Sequence, residues 1–62
     1  MNEKEARRLA DVVKLICPIA WVEPIEPEYK IVVEIVPKEK FSIPSFDAFL
    51  MFLKWAREHG KI

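Results

Sequence analysis

The sequence predicts a small α+β domain of order αββα, with a dimer as its stable form, and three observations carry that reading. All five prolines, at positions 18, 24, 27, 37 and 44, fall in the middle of the chain, which leaves both ends free to be helical. Apolar residues recur with a helical period near each end and with a period of two over residues 29 to 36. The 62-residue chain is 52% hydrophobic with a single glycine, so it is neither a linker nor a disordered segment. A chain this short nevertheless buries only about 60% of its unfolded surface, and its core is marginal.

Residues 2 to 17 read as the first helix. At about 100° per residue Ala6, Leu9, Val13, Ile16 and Cys17 gather on one side, with Ala10 and Val12 at the margins and Leu15 as the exception. Glu3 and Glu5 suit the positive end of the helix dipole, and Pro18 ends the helix by disfavouring helical geometry at Cys17.

Residues 19 to 23, bounded by Pro18 and Pro24, are partly β-branched and aromatic and form a first strand. Residues 29 to 36 form the main strand: Tyr29, Ile31, Val33 and Ile35 make a fully apolar face, and Lys30, Val32, Glu34 and Val36 a mixed one. Pro24 to Glu28 is a stiff connection without the Asn-Gly or Asp-Gly of a two-residue hairpin turn. Lys38, Glu39 and Lys40 read as a charged turn, and residues 41 to 43 are long enough to add a short third strand, which the sequence leaves open.

Residues 46 to 59 form the second helix, with Ser45 as N-cap, Asp47 in the first turn and Gly60 as the C-terminal stop. Phe46, Ala48, Phe49, Leu50, Phe52, Leu53, Trp55 and Ala56 spread over an arc of about 220°, against a polar strip of Asp47, Lys54 and Glu58. A helix lying on one small sheet needs about half of that arc. The excess makes Phe46, Phe49, Leu50, Phe52, Leu53, Trp55 and Ala56 the candidate self-association surface, supported by the main strand as an edge that a second copy extends. Covering even ~400 Å² of apolar surface per subunit contributes on the order of 10 kcal/mol before association costs. A monomer in which the first helix and the hairpin wrap both flanks, and a different protein as partner, are the competing readings.

Composition narrows the function further. Ten basic and ten acidic residues cancel, so no global charge draws the chain to nucleic acid or an anionic membrane. Lys4, Arg7, Arg8 and Lys14 around Asp11 make the first helix the one candidate nucleic-acid contact, although Glu3 with Arg7 and Arg7 with Asp11 have the spacing of ordinary surface ion pairs. Neither helix-turn-helix nor ribbon-helix-helix order is present. Glu23, Glu26 and Glu28 concentrate negative charge in the connection, a solvated loop before it is a site for a basic partner.

Catalysis has little to work with. Ser42, Ser45, Cys17 and the lone His59 make no triad; Ser45 has a capping role, and His59 in the last helical turn suits the dipole. Without a His-x-x-x-His or Cys-x-x-Cys spacing no protein metal site is expected, and without a glycine-rich loop no nucleotide or other cofactor. Cys17 reads as a small buried hydrophobe in a reducing compartment. The charged N-terminal residues and an uncharged apolar run of only Leu15 to Val22 predict neither a signal peptide nor a membrane span, hence a cytoplasmic location. A Glu- and Lys-rich composition without Thr or Gln resembles proteins from hot environments. The sequence therefore points to one α+β domain over residues 1 to 62 acting as a small non-enzymatic interaction module that self-associates, with a nucleic-acid-binding regulator as the alternative.

Overall fold

The computed structural model describes residues 1–36 and 39–62, in the order α1 (Glu3–Ile16), β1 (Ala20–Pro24), β2 (Tyr29–Val36), β3 (Glu39–Ile43), α2 (Phe46–Glu58). The third strand does form, and it is longer than residues 41 to 43. The domain is therefore αβββα rather than αββα. Glu39 and Lys40, expected in a charged turn with Lys38, belong to β3, while Lys38 itself lies outside the described residues.

The strands make one antiparallel sheet in the order β1-β2-β3. Val32 faces Trp21 on one side and Ser42 on the other, and Ile31 faces Val22 and Ile43. This position of β2 corrects one expectation. With a neighbour on each side its backbone groups are already paired, so a second copy cannot extend the sheet there; only β1 and β3 have free edges.

Alternation along β2 sends Tyr29, Ile31, Val33 and Ile35 to the face that carries both helices. Ile31, Val33 and Ile43 are fully buried there. Onto them α1 brings Ala6, Ala10, Val13 and Cys17, and α2 brings Phe49, Phe52 and Ala56. Small residues let α1 lie close over β1 and β2, whereas α2 stands on phenylalanines over β3, and the two helices touch each other only sparsely. Phe52 is fully buried, with its ring centroid 6.0 Å from that of Phe41 on β3.

Local signals fix the helix ends. Asn2 stands outside α1 as its N-cap, its Oδ1 accepting from the Glu5 N–H at 2.7 Å, and Cys17 leaves the helix in extended geometry before Pro18. The Ser45 Oγ accepts from the Ala48 N–H at 3.2 Å, and Gly60 takes φ 69, the left-handed conformation a C-terminal cap asks for. The loop from β1 to β2 holds a cis Glu26–Pro27 bond and closes with the Ile25 N–H donating to the Glu28 carbonyl at 2.8 Å.

Both helices run in the same direction. The Met1 ammonium donates to the Pro44 carbonyl at 3.1 Å, placing the start of α1 beside the start of α2. At the other end of α1, the Glu34 N–H donates to the Ile19 carbonyl at 2.9 Å. The Met1 ammonium also pairs with Glu28 at 2.7 Å.

Candidate interaction surface

The parallel course of the helices decides which flank of each looks where. Arg7, Asp11 and Lys14, on the flank of α1 one residue beyond its buried positions, line a cleft of about 430 Å³ with Trp21 and Val22 of β1. The opposite flank of α1, with Leu9, Val12 and Ile16, is therefore turned toward α2. Since α2 runs the same way, its corresponding flank, Leu50 after Phe49 and Leu53 after Phe52, is turned back toward α1, with Phe46 beside it. Leu9, Ile16 and Leu53 are half-buried against the core between the helices.

Beyond these residues the apolar surface continues outward. Val12 is 40% exposed, Phe46 50%, Leu50 48%, Met51 68% and Leu15 87%. Isolated exposed apolar residues need no explanation, but here they fall in two groups on the helix layer, Val12 and Leu15 on α1 and Phe46, Leu50 and Met51 on α2.

The seven candidate residues of the second helix thus divide. Phe49, Phe52 and Ala56 are consumed by the chain's own core, at 6%, 0% and 0% exposure, which removes them from any contact surface and corrects their assignment to it. Trp55 lies half-buried on the outer flank, between Phe52 at 5.9 Å and the His59 ring at 4.7 Å. Phe46, Leu50 and Leu53 remain, and the structure adds Met51, Val12 and Leu15. Leu15 was visible beforehand as the residue that breaks the helical pattern of α1; Met51 carried no such mark.

The basic residues of α1 do not converge. Arg7 and Lys14 line the cleft against β1, whereas Lys4 and Arg8 border a separate shallow depression with Asn2 and Glu5. Arg7 already donates to Glu3 at 2.9 Å, and the Arg7–Asp11 pair that the spacing allowed is not formed. Of the three carboxylates expected in the connection, Glu23 instead lies in β1, where it accepts from the Trp21 Nε1–H at 2.6 Å, and Glu28 accepts from the Met1 ammonium.

His59 ends α2 as its C-cap, with its backbone N–H donating to the Trp55 carbonyl at 3.0 Å and its ring Nδ1 2.9 Å from that same oxygen. Cys17 is buried. Among the described residues no group of three or more His, Cys, Asp or Glu side chains is arranged to hold a metal ion, and no helix is long and apolar enough to cross a membrane. Set against protein-family models, curated proteins and solved structures, the chain gives no match.

Proposed function

We propose that this chain is a small non-enzymatic interaction module that self-associates through the outer side of its helix layer, with α2 as the principal contact element. The observation that carries the reading is that Phe46, Leu50 and Met51 on α2, and Val12 and Leu15 on α1, are all well exposed on the helix layer. A domain this small has little stability to spare, and apolar surface of that extent is favourable only where something covers it. The sheet offers less, because β2 is saturated and the free edge of β1 is bounded by Pro18 and Pro24.

Light scattering across nanomolar to millimolar concentrations tests this. Twice the chain mass is expected at micromolar concentration. Leu50→Glu should shift the chain to monomer while leaving its far-UV spectrum intact, because Leu50 is already 48% exposed in the single chain; Ser42→Glu, on the opposite side of the sheet, should leave the mass unchanged. Duplex DNA binding that is sub-micromolar at physiological salt and lost in Arg7→Ala/Arg8→Ala would instead favour the nucleic-acid reading.

A further inference from the structure

We infer that the surface is covered by a second copy set crosswise, so that the C-terminal half of α1 in one copy lies on the N-terminal half of α2 in the other; this rests on the self-association proposed above. The amount of surface fits such a pairing. The exposed fractions of Val12, Leu15, Phe46, Leu50 and Met51 amount to about three whole side chains, on the order of 500 Å² of apolar area. A stable interface of standard size covers about 800 Å² per partner, a little over half of it apolar, or roughly 450 Å². The patch is thus what one half of a dimer requires.

Placement supplies the geometry. Because the helices are parallel, Val12 and Leu15 lie toward one end of the layer and Phe46, Leu50 and Met51 toward the other, at diagonally opposite corners. Within one chain these corners cannot cover each other. A half-turn about an axis in the plane of the layer, perpendicular to that diagonal, sets each corner of one copy on the other corner of its partner, twice over.

Charge agrees with that arrangement. Arg8 and Asp11 stand four residues before Val12 and Leu15, while Asp47 stands four before Met51 and Lys54 four after Leu50. At the α1 corner Asp11 and Lys14 flank Leu15, and at the α2 corner Asp47 stands in the first turn. Among the described residues the ion pairs within the chain are Glu3–Arg7 and the Met1 ammonium with Glu28, so Asp11, Lys14 and Asp47 have no ion-pair partner within the chain. The C-terminal end of α1 and the N-terminal end of α2 also bring opposite helix-dipole ends together.

Cysteine pairing reads the geometry directly. In Leu15→Cys/Leu50→Cys, mild oxidation should give a disulfide-linked dimer on a non-reducing gel. Neither single variant should do so, since each cysteine faces the other position in the partner. The two sites lie at opposite ends of the layer, beyond the ~7 Å Cα separation that a disulfide within one chain needs.

As a second readout, Leu15→Glu should raise the dimer dissociation constant at least about 100-fold, because it buries an unpaired carboxylate in the interface. Leu15 is 87% exposed in the single chain, so the subunit's fold should not change. A dimer that Leu15→Glu leaves intact and that the paired cysteines fail to link would overturn the crosswise arrangement while leaving self-association standing. A chain that stays monomeric at millimolar concentration would overturn both and give the patch to a different protein.

Discussion

The two outer surfaces of this domain, the bare face of the sheet and the back of the helix layer, meet water in different ways. On the sheet, Val32 of β2 points away from the helices, and it is only 4% exposed. Its neighbours Trp21 and Ser42 flank it, and the Lys40 ammonium reaches to 5.5 Å from the Trp21 ring centroid, which carries the lysine stem across the face. Glu23 stands opposite Lys30 and Glu34 opposite Lys40, so the charges on that face alternate in sign across the strands.

The helix layer has no such cover. Leu50 and Met51 adjoin buried positions yet look outward, because successive residues of a helix diverge by about 100° and a phenylalanine-rich stretch cannot keep every member on one side. A flat sheet places a polar neighbour on each side of an apolar residue; a convex helix turns its surplus to solvent. For this reason the open sheet face covers its apolar residue Val32 within one chain, while the helix layer leaves apolar residues exposed.

Three substitutions separate these surfaces. The largest effect is expected from Phe52→Ala beneath the helix layer, where deletion of a fully buried ring costs about 3–5 kcal/mol. A single core of this size rarely supplies more than about 3–5 kcal/mol in all. Far-UV circular dichroism at low micromolar concentration should therefore show a largely unfolded chain, and a cooperative transition near the wild-type midpoint would mean that α2 is not held by its underside.

Trp21→Ala comes next. It uncovers Val32 and removes the ring under Lys40, for a loss of about 1–2 kcal/mol in urea unfolding. The dimer dissociation constant should not move, since the sheet face takes no part in association. If it does move, the two surfaces are not independent.

Ser45→Ala should have the smallest effect, about 1 kcal/mol from loss of the N-cap. Because that cap holds the end of α2 that carries Phe46 and Leu50, stability and association should both weaken slightly. Urea midpoints and sedimentation measured on the same samples would show whether they fall together.

Much of the fold was legible because it is encoded locally. Ser45, Pro18 and Gly60 mark helix ends through the geometry of one or two residues, and β2 was found with its full length because eight alternating residues leave one reading of period and burial. The third strand was harder to read. Phe41-Ser42-Ile43 is short, and its place depends on a partner strand, not on its own pattern.

The candidate surface was legible only in part. A helical wheel showed that α2 carries more apolar surface than one sheet can cover, but it could not say which side the sheet would take. Phe49 and Leu50 are adjacent in sequence and equally apolar, and the first is in the core while the second faces solvent.

By itself the sequence determined both helices, the first two strands, their ends to about a residue, and the excess of apolar surface, since each follows from periodicity and from the conformational limits of single residues. Tertiary structure alone decided that β2 is central, that the helices run parallel, and that Phe46, Leu50, Met51, Val12 and Leu15 of the helices are left exposed. The reason is physical: a helix has many faces but a small sheet covers only one of them, and which one depends on how all the other elements pack.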